Sequence, residues 1–274
     1  MGSGHLSASD ITSLKIGGSL LGGRGNSSGV VEIGDADLVS IKGSIHGGGE
    51  TEATGASPIG ALRAYGSVKT LTLGGDVIAG SHGSGERAGY NGAILVSGNL
   101  GSATISGGIY GNPDQEAIIL AKGLTPATPG NFQAIAKLTV RGSVSYGYIA
   151  AGHSPDVTSY DHRVGNAENA DAGIGRVNVE DDWFHSNLTA GINDANTNGF
   201  SEADTRSAGD ANRQATIGQV TIGGQIRDNP DLVESSGFGA ERIASIIAGG
   251  GKLFASGNPT RSLDAASYVT VAEL

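Results

Sequence analysis

The sequence predicts an all-β protein, a right-handed parallel β-helix of about eight coils with lengthening loop insertions. Two observations predict this fold: a short apolar motif that recurs along the chain, and a content of 48 Gly in 274 residues. The motif has the form apolar-x-x-apolar-x-apolar-x-Gly-x-apolar, and its strongest copies begin at Ile11, Val68, Ile135 and Ile217. One dominant strand per unit favours parallel stacking, and crossovers between parallel strands are overwhelmingly right-handed.

Alignment of eight copies of the motif gives two apolar columns separated by a polar one. Such alternation is typical of a strand with one side in the core and the other in water. A Gly then closes most copies, where a Cβ atom would obstruct a sharp corner. The first apolar column is Leu14, Val39, Leu71, Ala103, Leu138, Val177, Val220 and Val269, and the second is Ile16, Ile41, Leu73, Ile105, Val140, Val179, Ile222 and Val271. The polar column is Lys15, Ser40, Thr72, Thr104, Thr139, Asn178, Thr221 and Thr270.

The spacing of the copies indicates coils of unequal length. Along the first column they advance by 25, 32, 32, 35, 39, 43 and 49 residues. The shortest step fits one coil of three short strands, and the longer steps carry loop insertions on the same frame. A second strand in the coil is predicted at 77–80, 149–152, 188–191 and 246–249, with further candidates at 30–33, 93–96 and 117–120. We interpret residues 1–10 as a leader and the start of the first coil, and 11–274 as a single β-helix domain.

Composition narrows the possible functions. The absence of Cys excludes disulfides, thiolate zinc sites and a Cys nucleophile. A formal net charge of −10 argues against nucleic acid as a partner, because binding to phosphates requires clustered Lys and Arg. No apolar run approaches the roughly 18 residues of a membrane span, so we expect no membrane insertion.

Two phrases carry a resemblance to known repeats: Ile-Gly-Gln-Val-Thr-Ile-Gly-Gly at 217–224 and Leu-Thr-Ala-Gly-Ile-Asn-Asp at 188–194. With the repeat around them, they resemble the Gly-rich β-strand repeats of large bacterial surface and secreted proteins. The resemblance implies an extracellular or cell-surface location, with neighbouring β-helix coils or a surface polysaccharide as partners. Adhesin passenger regions, polysaccharide lyases and phage tailspikes share this architecture, so the fold alone does not decide the function.

The loop after residue 191 has the pattern of a calcium-binding loop. Oxygen-bearing side chains stand at alternate positions and are followed by a Gly that permits a sharp turn. The predicted calcium ligands are Asp194, Asn196, Asn198, the Phe200 carbonyl, Glu202 and Asp204. The bidentate Glu that normally closes such a loop is replaced by Thr205, which predicts a weak site. The same composition also suits an ordinary solvated turn.

The repeat breaks chemically at residues 180–185. Asp181 replaces the corner Gly, and Trp183, the single Trp of the chain, replaces an aliphatic residue. One interpretation has Asp181 and Asp182 as paired carboxylates beside Trp183 as an aromatic sugar platform, with His185 as an acid or base. The alternative is structural: Trp183 fills a wider core and the two acids cap the corner, since adjacent residues in a strand face opposite sides.

Three classes of function follow from these patterns. The leading one is an extracellular structural or adhesive module (a spacer, stalk or surface-layer segment), stabilised by calcium and without a catalytic residue. It rests on the outward column, which is Thr, Ser and Asn with a single Lys. The alternative is a carbohydrate-active enzyme, a polysaccharide lyase or hydrolase, that uses the acidic loops of 153–213. A third, ice binding, calls for two Thr per coil, where the aligned column supplies one.

Overall fold

We analysed the fold in a computed structural model. It describes residues 4–25, 27–49, 58–81, 90–124, 132–155, 167–193, 205–206, 209–210, 213–229, 236–255, 261–262 and 269–273. The described residues form strands and turns and contain no helix. Their strands stack into three long parallel sheets, so the predicted all-β parallel β-helix is confirmed.

The three sheets are the three faces of the coil. The first face carries the repeat motif and is built from β2 (Ile11–Ile16), β5 (Ala36–Ile41), β8 (Val68–Leu73), β11 (Leu100–Ile105), β14 (Gln133–Val140), β17 (Gly173–Val179), β22 (Thr216–Ile222), β25 (Arg242–Ala248) and β26 (Gly251–Ala255). The second face consists of two-residue strands: β3 (Leu20–Leu21), β6 (Ile45–His46), β9 (Val77–Ile78), β12 (Ile109–Tyr110), β15 (Val144–Ser145), β18 (Trp183–Phe184) and β23 (Ile226–Arg227).

The third face closes each coil. Its strands are β1 (His5–Ser7), β4 (Val30–Ile33), β7 (Ile59–Ala64), β10 (Asn91–Val96), β13 (Ala117–Ala121), β16 (Gly147–Ala151), β19 (Asn187–Ala190), β24 (Ser236–Ala240), β27 (Arg261–Ser262) and β28 (Val269–Glu273). A separate antiparallel pair joins β20 (Ile192–Asn193) to β21 (Thr205–Arg206). The described strands follow the first, second and third faces in turn, and they make up seven complete coils and a partial eighth.

The two ends of the stack differ. At the amino end the first-face edge is β2, and among the described strands its one parallel neighbour is β5. Residues 5–7, within the predicted leader, form β1 and pair with β4, so they continue the third face. At the carboxyl end β26 runs antiparallel to β25, and β27 runs antiparallel to β28. The parallel stacking therefore ends there in antiparallel strands.

Branched aliphatic side chains fill the axis of the coil. The predicted columns of the first face point inward, and their members in the second to seventh coils are buried, while Leu14 and Ile16 of the first coil are half-buried. The second face adds an inward column in which Trp183 lies in register with Val144 and Ile226. Trp183 is fully buried, and its ring centroid lies 5.2 Å from that of Phe238. The structural interpretation of Trp183 as core filling is therefore confirmed.

Two details of the sequence alignment are wrong. The eighth strand of the first face is β25, because Ile246 pairs in register with Val220. The predicted eighth copy, Val269 and Val271, lies instead in β28 on the third face. The segments around Ile246 and Val271 have the same alternation of apolar and polar residues. The local sequence therefore did not show which of them belongs to the first face. The spacing between equivalent first-face residues of the seventh and eighth coils is consequently 26 residues (Val220 to Ile246). The increase in spacing along the chain therefore ends at the seventh coil.

The predicted second-strand family is spread over all three faces. The segment at 77–80 contributes to the second face, those at 149–152 and 188–191 to the third, and that at 246–249 to the first. The further candidates at 30–33, 93–96 and 117–120 do share one face, the third. A short aliphatic run followed by Gly ends strands at several corners of the coil, so this motif does not identify a face.

Side chains at the corners bond each coil to the next. At the corner between the first and second faces, a side-chain oxygen of one coil accepts the N–H of the equivalent residue in the next. The pairs are Ser19 with Ser44, Ser44 with Asp76, Asp76 with Gly108, Ser143 with Asp182, and Asp182 with Gln225, at 2.8 to 3.3 Å. A second ladder, at the corner between the third and first faces, joins Asp10 to Asp35, Asp35 to Ser67, Ser67 to Asn99, and Asn99 to Leu124, at 2.6 to 3.1 Å.

The outer sides of the faces differ in polarity. The first face carries the predicted polar column and a second outward column in register with it: Ser13, Leu38, Thr70, Ser102, Lys137, Arg176, Gln219 and Ser245. Leu38, Lys137 and Arg176 interrupt the hydroxyls, so the two columns do not form the continuous Thr array that ice binding calls for. The outer side of the third face carries the half-buried Glu32 and Arg63 in the first two coils. In the third to fifth coils it is apolar and buried, and includes Ala93, Leu95 and Ile118.

Candidate functional site

The residues of the repeat break lie on the sixth coil and have separate surroundings. Asp181 is exposed at the corner. Asp182 accepts a hydrogen bond from the Gln225 N–H at 2.8 Å and forms an ion pair with Arg227 at 2.7 Å. The hydrogen bond from Gln225, together with the bond and charge of Arg227, lowers the pKa of Asp182, while its partial burial opposes this shift. Asp182 is thus a carboxylate that joins the sixth coil to the seventh.

His185 lies at the next corner and contacts a different carboxylate. Its Nδ1 atom bonds to Oδ1 of Asp228, which stands at the same position of the seventh coil. Exposed fractions of 9% for the His185 side chain and 2% for that of Asp228 show that the pair is removed from water. The structure thus pairs His185 with Asp228, while Asp182 is engaged with Arg227.

Alignment of the second faces shows how unusual this corner is in the repeat. The residue after the second-face strand is Gly22, Gly47, Ala79 and Gly111 in the first four coils. In the next three coils the same position holds Tyr146, His185 and Asp228. Backbone hydrogen bonds join this corner in successive coils, from the Tyr146 N–H to the Phe184 carbonyl and from the His185 N–H to the Arg227 carbonyl. Three large polar residues therefore stack on consecutive coils.

We define the corner cluster as Tyr146, Phe184, His185, Asp228 and Asn229. The Tyr146 ring lies edge-on to Phe184, with centroids 5.4 Å apart, and its centroid is 5.0 Å from that of His185. Asn229 Nδ2 donates to the Tyr146 hydroxyl at 3.1 Å, and the Asn229 N–H donates to Asp228 Oδ1 at 2.8 Å. The cluster thus spans three coils through ring contacts and hydrogen bonds.

Buried groups beneath the cluster hold its backbone in place. Trp183 Nε1 donates to the Ser186 carbonyl at 3.0 Å. Ser186 Oγ donates to the Phe184 carbonyl at 2.7 Å and accepts the Gly147 N–H at 2.9 Å. Because these partners are buried and satisfied, the corner is a preorganised support.

The left-handed backbone of two cluster residues sets the direction of their side chains. Tyr146 has φ of 48° and His185 has φ of 38°. Each forms the tight turn from the second face to the third, a conformation for which Gly is the least strained residue. Residues in such conformations cluster at functional sites, where surrounding contacts hold them.

The predicted calcium ligands, Asp194, Asn196, Asn198, Phe200, Glu202 and Asp204, lie outside the described residues. The strands on either side of them are described: Ile192 pairs with Arg206 and Asn193 with Thr205 in an antiparallel ladder. The two ends of the predicted loop are therefore held together. Within the described part of the chain, no group of three or more His, Asp or Glu side chains is arranged to hold a metal ion.

Tyr146, Asp228 and Asn229 were missed in the sequence analysis. A signal for them existed: when the corner position after the second-face strand is aligned, a column of small residues changes to Tyr, His and Asp at the fifth coil. That alignment depends on recognising two-residue strands, which are too short to show an apolar period.

Comparisons with protein-family models, with curated proteins and with solved structures gave no match. The resemblance to Gly-rich repeats of bacterial surface proteins therefore stays a prediction. Among the described residues we find no helix with the length and apolar character that crossing a membrane requires.

Proposed function

We propose that this chain is an extracellular structural or adhesive module, a spacer, stalk or surface-layer segment. The observation that carries the proposal is the outer side of the first face, a parallel sheet with a column of short neutral side chains: Ser40, Thr72, Thr104, Thr139, Asn178 and Thr221. These residues supply hydrogen-bonding groups without a cluster of acids and bases. The corner ladders support a mechanical role, because between them they connect the first seven coils.

Immunolabelling of the cells that produce the protein tests the location. Antibody against the folded chain should label intact cells or the culture medium, without permeabilisation. Labelling that appears only after permeabilisation would contradict an extracellular module. A cytosolic protein labelled in the same cells is the control for leakage.

Adhesion is tested by sedimentation with insoluble polysaccharides such as cellulose, chitin and β-1,3-glucan particles. An adhesive module is retained on at least one of them and releases no sugar. A spacer stays in the supernatant and also releases none. Catalytic release of sugar would overturn the proposal in favour of an enzyme.

A carbohydrate-active enzyme is the second candidate, and the His185–Asp228 pair favours it. A buried carboxylate on Nδ1 orients an imidazole so that Nε2 can exchange a proton. The test is release of reducing ends from acidic and neutral polysaccharides, compared between the natural chain and the His185→Ala, Asp181→Ala and Asp182→Ala variants. Release that is lost only with His185→Ala would assign the chemistry to the corner cluster.

We further propose that calcium binds the loop at 194–204 and orders it. The antiparallel pair of Ile192–Asn193 with Thr205–Arg206 supports this, because it holds the two ends of the loop together. At most three of the predicted ligands carry charge and the bidentate Glu is missing, so we expect a Kd of about 10⁻⁴–10⁻³ M, the range of extracellular modules. Such a site adds about 1.4 kcal/mol to the free energy of unfolding when free calcium is about ten times Kd.

Limited proteolysis tests calcium binding. Cleavage within residues 192–216 should slow in calcium relative to chelator for the natural chain, and should be fast in both for Asp194→Ala. Asp210→Ala, outside the predicted ligand set, is the matched control and should keep the calcium response. Identical cleavage of all samples with and without calcium would leave the segment an ordinary polar loop.

A further inference from the structure

The corner cluster presents one hydrogen-bond acceptor beside one donor. Since the Asp228 carboxylate only accepts, His185 Nδ1 carries the proton between them, and in the neutral form of the ring Nε2 is then an acceptor. The Tyr146 hydroxyl already accepts from Asn229, so its own proton is available to donate. Their rings are neighbours, with centroids 5.0 Å apart on adjacent coils.

This pairing selects among chemical classes of ligand. A hydroxyl group both donates and accepts, so it satisfies His185 Nε2 and the Tyr146 hydroxyl together. A carboxylate or phosphate offers no proton to Nε2 and approaches the buried Asp228 carboxylate, which repels it. An ammonium group only donates and leaves the Tyr146 proton unmatched. The polar groups therefore fit a neutral hydroxyl.

The rest of the cluster fits a sugar ring around that hydroxyl. Phe184 and Tyr146 are half-buried and contact each other edge-on. Each therefore leaves part of its ring exposed at the corner, and the two rings are nearly perpendicular. Small-molecule sites combine such apolar surface with a few fixed polar groups that set orientation. The carbon-bound hydrogens of a pyranose supply the apolar partner, and its hydroxyls supply the polar one.

The backbone conformation indicates that Tyr146 and His185 have a role beyond forming the turn. Gly would make the left-handed corner with less strain, and apart from Ser27 the other described residues of positive φ are Gly, such as Gly60 and Gly92. Tyr146 and His185 instead hold this conformation with large side chains. Backbone strain of this kind is retained where the direction of the side chain is important for function.

We propose that the corner cluster binds a sugar unit of a neutral polysaccharide, with one hydroxyl held between His185 Nε2 and the Tyr146 hydroxyl. This site rests on the adhesive form of the proposed function and gives it a substrate class. Phe184 contacts the sugar ring, and Asp228 and Asn229 act as positioning residues that fix the proton of each polar partner.

Calorimetric titration with soluble hexasaccharides of β-1,4-glucose, β-1,3-glucose, β-1,4-xylose and β-1,4-mannose tests the proposal. At least one should bind the natural chain, and the acidic hexagalacturonate should bind more weakly. Tyr146→Phe and His185→Asn should each weaken binding about tenfold or more, the effect of one lost hydrogen bond. His185→Asn keeps a residue that tolerates a left-handed backbone and a donor for Asp228, so the fold is retained.

Tyr110→Phe is the matched control, because Tyr110 is an exposed tyrosine on the second face of the preceding coil. It should bind as tightly as the natural chain. The proposal is overturned if no neutral hexasaccharide binds at about 10 mM, a very weak affinity for a specific site. It is equally overturned if Tyr146→Phe and His185→Asn bind like the natural chain. Retention of all variants on insoluble polysaccharide would then preserve the adhesive function while removing this site from it.

Discussion

At the scale of single residues, the corner glycines are explained by the coil beneath each of them. A Cβ added to Gly75 would overlap Ser44 Oγ, and one added to Gly107 would overlap Asp76 Oδ1. These are the oxygens that accept the backbone N–H groups of the corner ladder. The corner Gly and the Ser or Asp of the adjacent coil therefore work together. The missing Cβ of each Gly leaves space for the side-chain oxygen that accepts the next backbone N–H.

Gly107→Ala should lower the free energy of unfolding by about 1–3 kcal/mol, because the new methyl group displaces the Asp76 carboxylate from the Gly108 N–H. Urea denaturation followed by circular dichroism measures this change. Gly18→Ala is the matched control: it occupies the same repeat position in the first coil, where nothing lies within 4 Å of the added Cβ. Equal losses in the two variants would show that backbone freedom, and not the neighbouring cap, selects Gly.

Asp182 predicts a dependence of stability on pH. Its pKa is lowered in the folded chain, so it contributes stability above its unfolded pKa of about 3.8, and this contribution is lost as the pH falls through the folded pKa. Asp182→Asn keeps an acceptor for the Gln225 N–H but loses the charge beside Arg227. The natural chain should therefore melt higher than the variant at pH 6, and the two should converge as the pH falls through the folded pKa of Asp182, which lies below 3.8.

Thermal melts of both proteins from pH 2 to pH 7 measure this convergence. Added salt should shrink the difference at pH 6, because the pair with Arg227 is partly exposed and screened. A difference in melting temperature that stays constant over the whole range would exclude Asp182 as its source.

At the scale of strands, the side of the first face on which a residue lies decides whether it packs in the core or faces outward. Leu138 is fully buried in an inward column, and the adjacent Thr139 lies on the outward one. The parallel register places each of them directly over its counterparts in the coils above and below. A single strand therefore carries core packing on one side and the candidate adhesive surface on the other.

Leu138→Ala should lower the free energy of unfolding by about 2–5 kcal/mol, since close-packed neighbours cannot fill the cavity that it leaves. Thr139→Ala, one residue away on the outer side, should cost less than about 1 kcal/mol. Denaturant titration of both variants measures the contrast. Similar losses would mean that the strand does not separate an inner from an outer side.

At the scale of the whole molecule, the two ends of the stack are unequal. Leu14 and Ile16 of the first coil are half-buried, and among the described strands β2 pairs only with β5, whereas β25 is followed by the antiparallel β26. Repeat structures gain their stability from intrinsic and nearest-neighbour terms, so a coil with one neighbour is less stable than a coil with two.

Hydrogen exchange should therefore proceed inward from the amino end. Amides of β2 should exchange about tenfold or more faster than those of β11 in the middle of the stack, because opening the first coil breaks one interface instead of two. Mass-spectrometric exchange on peptides from the two strands gives the comparison. Uniform protection across all coils would instead show that the stack unfolds as one unit.

The sequence by itself determined the repeat, the inward columns and the parallel β-helix, because strand alternation and corner Gly are local patterns repeated along the chain. It did not decide which face an isolated apolar strand joins: Ile246 and Val271 look alike until their neighbours are known. It also placed His185 with Asp181 and Asp182, which are its neighbours in the chain. The tertiary structure pairs His185 with Asp228, 43 residues away, because stacking brings the same position of successive coils together. Local patterns determine the strands and corners of one coil. Because the loops differ in length, the sequence does not show which residues take the same position in successive coils, and only the stacked structure decides which polar side chains meet.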